Sequence, residues 1–336
     1  MKVSVKKISE ETGFSPATVS NALNNKKGVN AETSRIILEK AMELGYSPVS
    51  RITRIRLLLI KKHGRIVTDT PFFSSLIEAI ENEARASECE ITITTLVMSA
   101  PDYEVSLANV LADRESAILL LATELTHEDI LPFETCGLPV VMLDGWFPRT
   151  ALDCVLISNT DSTYEAACYL IARGHTRIGY LRSSLPISNF YYREQGYLRA
   201  LAEHDLKPAK SDTYELDPTL DGSYRDMAEK LKTAGKLPTA FIADNDMIAL
   251  GAVKALNEAG INVPKRCSVI GFDDLPYCEI NTPALTTIKV DKQEMGVAAV
   301  RQLIYTIQKP EHTKMKIEIC TELVERASVL DLTMQK

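Results

Sequence analysis

Between Ser15 and Asn24 the chain sets Ala17, Thr18, Ser20, Asn21 and Asn24 on one side of a short helix, with Ser15 as its cap and Pro16 at its first position. Short hydroxyls, an amide and a methyl suit phosphates and base edges. A second set of reactive groups stands at the ends of apolar runs. Asp144 follows Val140–Leu143, Asn245 and Asp246 follow Ala240–Asp244, and Asp273 and Asp274 follow Val269–Phe272. Arg193 opens a helix after Phe190-Tyr191-Tyr192. Aromatic faces, carboxylates, an amide and one guanidinium suit a small polyhydroxylated or polar ligand. Each acid could equally be a helix N-cap at a strand–helix turn. Of the adjacent pair, Asp246 reads as the cap and Asn245 as the contact. Trp146 and Phe147 read either as pocket or as core or dimer surface.

The elements that must position the first set fill residues 1–48. A helix runs from near Val5 to Glu11, Gly13 allows a sharp reversal, and the second helix starts at Pro16. Ile8, Phe14, Val19 and Leu23 are spaced to share one small core. A third helix starts at Asn30, carries Ile37, Ala41 and Leu44 on one face, and stops at Gly45. This is a helix-turn-helix, and DNA is the first partner it implies.

Charge agrees with that reading. Residues 1–62 hold 12 Lys and Arg against 5 Glu, a balance of +7, so a chain of net −7 leaves −14 on the other 274 residues. A basic head on an acidic body binds polyphosphate at one end only. The seven cysteines are scattered with no Cys-x-x-Cys, which points to free thiols in a reducing cytoplasm. Met1-Lys2-Val3-Ser4 leads straight into a helix without a signal peptide, and the apolar runs are too short to span a bilayer. No metal-ligand cluster, nucleotide loop or nucleophile motif occurs, so no catalytic residue, cofactor or metal is assigned. An enzyme, or a small-molecule binding module, on the same α/β body remains the alternative.

From Ile55 onward apolar runs alternate with amphipathic helices. Strands are expected at 55–60, 90–95, 117–121, 139–143, 153–157, 176–181, 239–243, 267–271 and 286–290, and helices at 73–88, 103–112, 161–173, 191–204, 223–233, 246–259 and 292–308. Buried strands alternating with helices indicate doubly wound parallel sheets. Nine strands, and a stretch without a clear strand at 205–221, suggest two α/β lobes with a crevice at the C-terminal ends of the strands.

The chain resembles the lac-repressor/galactose-repressor (LacI/GalR) family along nearly its whole length. In the head the resemblance rests on Ile8–Ser15, Thr18–Asn24, Val29-Asn30, Thr33–Arg35 and Leu44–Pro48. In the body it rests on Pro71–Phe73, Pro139–Val141, Leu170–Gly179, Arg193–Tyr197, Ala243–Gly251, Ser268–Asp274 and Leu285–Ile288. It implies an all-α helix-turn-helix domain followed by a periplasmic-binding-protein-like body, acting as a cytoplasmic homodimeric repressor on a pseudo-palindromic double-stranded DNA operator. It also implies a small-molecule effector, a carbohydrate by preference. By the same resemblance Pro16, Ala17 and Asn21 would read bases, and Ser4, Ser15, Thr18, Ser20 and Asn24 would hold phosphates, with Lys6 beside them. Phe73, Asp144, Arg193, Tyr224, Asn245 and Asp273 would hold the effector.

The implied domains are residues 1–48, a linker 49–54, and a body 55–336 whose first lobe takes about 55–156 and 287–314 and whose second takes about 157–286 and 315–332. The linker departs from the family. Val49-Ser50-Arg51-Ile52-Thr53-Arg54 lacks the Ala-Arg-Ser-Leu-like segment that folds on DNA, and its β-branched residues disfavour a helix. Arg51, Arg54 and Arg56 could still grip phosphates. The tail from Val324 carries no heptad repeat for a coiled-coil tetramer.

Overall fold

The computed structural model describes residues 4–23, 29–44, 54–68 and 71–334. They fall in two compact units, residues 1–53 and 54–336. Asn24 and Arg51 lie outside the described residues, as does the linker up to Thr53.

The first unit holds α1 (Val5–Thr12), α2 (Pro16–Leu23) and α3 (Ala31–Glu43). Each start is capped. Ser4 Oγ accepts from the Lys7 N–H at 3.3 Å, Ser15 Oγ from Thr18 at 3.1 Å, and Asn30 Oδ1 from Thr33 at 2.7 Å. Gly13 ends α1 in the left-handed region at φ 74°, where a side chain would be strained. Ile8, Val19, Ala22, Ile37 and Ala41 form the core, with Phe14, Leu23 and Leu44 packed against it.

The second unit contains two six-stranded sheets. The first-lobe elements are β1 (Arg54–Lys61), α4 (Pro71–Ala86), β2 (Glu90–Val97), α5 (Tyr103–Ala112), β3 (Ser116–Leu121), α6 (His127–Thr135), β4 (Val140–Leu143) and β5 (Asp153–Ile157). The second lobe follows with α7 (Asn159–Ala172), β6 (Ile178–Ser183), α8 (Ser188–Glu203), β7 (Thr213–Leu216), α9 (Leu220–Thr233), β8 (Ala240–Ala243), α10 (Asp246–Glu258), β9 (Ser268–Asp273), α11 (Tyr277–Ile280) and β10 (Thr286–Val290). The chain ends with α12 (Lys292–Gln308), β11 (Lys316–Ile319) and β12 (Thr321–Val324). One sheet has the order β11-β5-β4-β3-β1-β2, all parallel; the other is β12-β10-β9-β8-β6-β7, parallel except for β12.

These pairings move the expected lobe boundaries. β10 stays in the second sheet, so the chain re-enters the first lobe at α12, which packs on α4 and β3–β5, and not at residue 287. β11 belongs to the first sheet, so the last crossing falls at Cys320 and not at 315. Ser158, Asp291 and Cys320 are thus the three crossing points. The stretch 205–221 does contain a strand, β7, which pairs with β6 at the sheet edge. Only one of its four residues is fully buried, so it lacks the apolar run that marks the central strands.

Candidate functional site

The C-terminal ends of the two sheets face one crevice, as open α/β sheets require. The first lobe lines it with Ile66, Phe72, Phe73, Thr123, Asp144 and Ile157, and the second with Ile187, Asn189, Phe190, Arg193, Asn245 and Asp273. The free space among these side chains, about 320 Å³, opens partly to solvent.

Asp144 leaves β4 in a left-handed conformation, φ 56°, which turns its carboxylate into the crevice. Thr123 donates to Oδ2 at 2.6 Å and Asn189 to Oδ1 at 2.9 Å. Burial pushes the carboxyl up to about 6, against the opposing pull of these bonds and of Arg193.

Arg193 sits in the second turn of α8, which starts at Ser188 and not at Tyr191. The side chain is buried and spent in three directions. Nε donates to Asn159 Oδ1 at 2.8 Å, Nη1 to the Asp244 carbonyl at 2.5 Å, and Nη2 lies 3.5 Å from Asp273 Oδ1. Its guanidinium stacks 3.5 Å from the Phe272 ring centre. Gly196, one turn on, makes this possible: a Cβ there would stand 2.0 Å from the Thr160 carbonyl, so only glycine lets α8 lie this close to α7 and Asn159.

Asp273 also has positive φ, 117°, and its carbonyl accepts from Lys292 Nζ at 2.6 Å. Burial raises its carboxyl, with Arg193 and Lys292 opposing. Asn245 lines the crevice and is itself the cap of α10, with Oδ1 accepting from the Ile248 N–H at 2.9 Å. The sequence reading is therefore corrected: Asp246 is not the cap. It is buried behind the crevice, accepting from Thr287 Oγ1 at 2.6 Å and the Leu275 N–H at 2.8 Å, and burial pushes it up to about 7. Asp244, held by Tyr180 and the Ser183 N–H, is pushed up to about 7 by the same cause. Asp274 turns away to pair with Arg326 at 2.8 Å.

Phe73, Asp144, Arg193, Asn245 and Asp273 are thus brought together, and Tyr224 is not. The residues α9 buries are Gly222, Ser223 and Met227, which leaves Tyr224 on its flank. There its hydroxyl donates to Glu258 at 2.5 Å and its ring carries the Lys254 ammonium. Thr123, Asn159 and Asn189 are the polar residues that sequence reasoning missed. Thr123 follows the β3 run by the same strand-end rule that found Asp144. Glu124 beside it is buried and accepts backbone N–H bonds from Lys62, His63, Gly64, Ile66 and Val67, fixing the loop that carries Ile66 into the crevice. Burial would raise this carboxyl, yet those N–H groups and His63 hold it below the usual range. Trp146 and Phe147 divide: Phe147 joins the first-lobe core, and Trp146 meets Tyr192 of the second lobe with ring centres 5.9 Å apart.

On the first unit, Ser4, Lys6, Ser15, Pro16 and Ala17 are exposed, and Thr18, Ser20 and Asn21 are half-buried on the side of α2 that the core does not use. Ser4 and Ser15 also serve as helix caps. Arg54 and Arg56 belong to β1 in the second unit and are already engaged. Arg54 lies 3.4 Å from Glu90 and 3.9 Å from Glu115, and Arg56 is 2.6 Å from Asp113. Both side chains thus pair with carboxylates of the second unit.

Residues 167–329 match the periplasmic binding protein-like domain model. The HTH-type transcriptional repressor PurR of Pasteurella multocida (strain Pm70) is 30% identical over 328 residues, 97% of this chain and 98% of that protein. The chain belongs to the LacI/GalR family. PurR of Actinobacillus pleuropneumoniae serotype 5b (strain L20) is 29% identical over 332 residues, 98% of each chain. Among solved LacI/GalR structures, the lac repressor bound to ONPG superposes with a TM-score of 0.72 at 25% identity, covering 98% of this chain and 100% of that one. A LacI family transcriptional regulator from Enterococcus faecium with bound ribose gives 0.69 at 25%, covering 83% and 99%. Family membership sets the enzyme alternative aside: the chain is a regulator. No helix among the described residues is long and apolar enough to cross a membrane.

Proposed function

We propose that this protein is a cytoplasmic, homodimeric transcriptional repressor whose hold on a pseudo-palindromic operator is set by a small carbohydrate bound between its lobes. The observation that carries the reading is the pairing, on one chain, of a fully capped helix-turn-helix with an inter-lobe crevice lined by aromatic rings, carboxylates, an amide and a buried guanidinium. Such a lining suits hydroxyl-rich rings, and the ribose-bound relative supports the carbohydrate. Apolar side chains exposed on each lobe support the dimer: Ile93, Val97 and Val105 on the first, and Leu220, Tyr277 and Ile280 on the second. With a short linker and no leucine wedge, effector closure would reach the DNA-binding domains as a rigid-body change and not by folding of a hinge helix.

Selection of bound sequences from a random duplex pool, followed by shift assays across salt and a sugar panel, tests this. The expected result is a two-fold symmetric site whose binding falls steeply with salt and changes with one sugar. Enrichment of no symmetric site, or retention of operator binding by residues 55–336 alone, would overturn it.

A further inference from the structure

Among the described residues, the charged groups that line the crevice are two carboxylates, Asp144 and Asp273, and one cation, Arg193. Behind them the excess of acid grows. Asp244 and Asp246 are buried beside Asn245, and Glu124 lies under the loop that carries Ile66. The cations near these groups are committed. Lys292 donates to the carbonyls of Asp273 and Val290, and His63 lies 3.2 Å from Glu124.

The hydrogen-bonding capacity is equally one-sided. A guanidinium has five N–H donors, and three of those on Arg193 already point at Asn159, the Asp244 carbonyl and Asp273. Asp273 has only that 3.5 Å approach from Arg193 to its carboxylate among the described residues. Each oxygen of Asp144 takes one donor and keeps room for a second. A ligand that fits must therefore donate hydrogen bonds as well as accept them. Hydroxyls do both, and an ammonium adds charge of the favourable sign. A carboxylate or phosphate brings only acceptors, and would set its negative charge against Asp144 and Asp273 in a site too dry to screen it.

We infer that the crevice selects an uncharged or amine-bearing polyhydroxylated ligand and rejects sugar acids and sugar phosphates. The inference rests on the carbohydrate reading above and narrows it.

The test is calorimetry and thermal shift of the full chain against matched sets. A panel of neutral pentoses and hexoses identifies the parent. The parent is then compared with its amino sugar, its terminal phosphate ester, its terminal methyl ether, its uronic acid and the isosteric uronamide. The expected result is that acid and phosphate bind at least about 100-fold more weakly than parent, while amide, ether and amine stay within about ten-fold. Acid or phosphate binding as well as the parent overturns the inference. So does an amide that fails alongside the acid, because shape and not charge would then be the filter. If every sugar fails and a neutral nucleobase binds, the carbohydrate reading falls. The charge rule is then upheld if the corresponding nucleoside phosphate fails and overturned if it binds.

Discussion

Asn189 of the second lobe donates to Asp144 of the first twice over, to its carboxylate at 2.9 Å and to its backbone carbonyl at 3.3 Å. The other side of the same amide accepts from Asn159 Nδ2 at 3.3 Å, and Asn159 Oδ1 accepts from Arg193. Two buried amides thus connect the acid of one lobe to the guanidinium of the other. Asn189→Ala would leave donors and acceptors on both lobes unpaired, at about 1–3 kcal/mol. The variant should melt several degrees lower and bind effector more weakly. Wild-type melting together with wild-type affinity would show that the lobes do not depend on this bridge.

Arg193→Ala and Asp273→Ala should each weaken effector binding by about 2–5 kcal/mol in calorimetry. The structure adds a second expectation for Arg193. Because it also holds Asn159 and the Asp244 carbonyl, its removal should lower fold stability as well. Arg193→Lys should not restore either property, since an ammonium cannot reach three acceptors in one plane. Full rescue by lysine would reduce the residue to a point charge.

The buried acids set a pH dependence with a definite sign. Asp144 is pushed up to about 6 and Asp244 and Asp246 to about 7, each from an ordinary 3.8. A carboxyl whose value is raised in the folded state stabilises the fold while protonated, and that contribution is lost as pH rises through the raised value. Melting temperature should therefore decline between about pH 4 and pH 7 and level off above it. A flat or rising profile over that window would mean these carboxyls titrate near their ordinary value.

Glu124 carries the opposite sign. Its carboxyl is held low by backbone N–H groups, so its contribution is present at neutral pH and disappears as pH falls through its lowered value. Glu124→Gln replaces one acceptor oxygen by a donor that meets N–H groups, which should loosen residues 62–68. That loop also sends Arg65 across to Asp217 at 2.6 Å. Hydrogen exchange should rise in the loop by about ten-fold or more, corresponding to at least 1.4 kcal/mol of local opening, and effector affinity should fall with it. Unchanged protection of the loop would refute this.

In the DNA-binding unit, Asn21→Ala should relax preference at one base pair by about 1–3 kcal/mol. Lys6→Ala should weaken all sequences alike and reduce the salt slope by about one. Competition shift assays with single-base operator variants separate the two patterns, and a uniform loss for Asn21→Ala would make it a phosphate contact.

Much of this architecture is legible in residue order, and the failures have physical reasons. The central strands show because both faces are buried and the run is apolar, as in Ala117–Leu121. β11 and β12 do not show, since Lys316-Ile-Glu-Ile and Thr321-Glu-Leu-Val alternate at the sheet edges and owe their pairing to the lobe crossing. Asp144 and Asp273 are found by the strand-end rule. Asn159 obeys the same rule, two residues past β5 as Asn245 is past β8. Asn189 escapes it because it lies in the first turn of α8 and its role depends on how closely α7 and α8 pack, which Gly196 decides. Tyr224 fails as a carried-over position because a resemblance fixes the helix but not the flank a side chain occupies.

The chain contains one tryptophan, and it is Trp146, on the first lobe against Tyr192 of the second, with the Lys316 ammonium 4.2 Å from its ring centre. An indole in that position is a native fluorophore at the seam between the lobes, with a ring of the second lobe against it and an ammonium of its own lobe beside it. Excited selectively, it would report lobe separation as a change in emission colour and lifetime, with no label and from a single site.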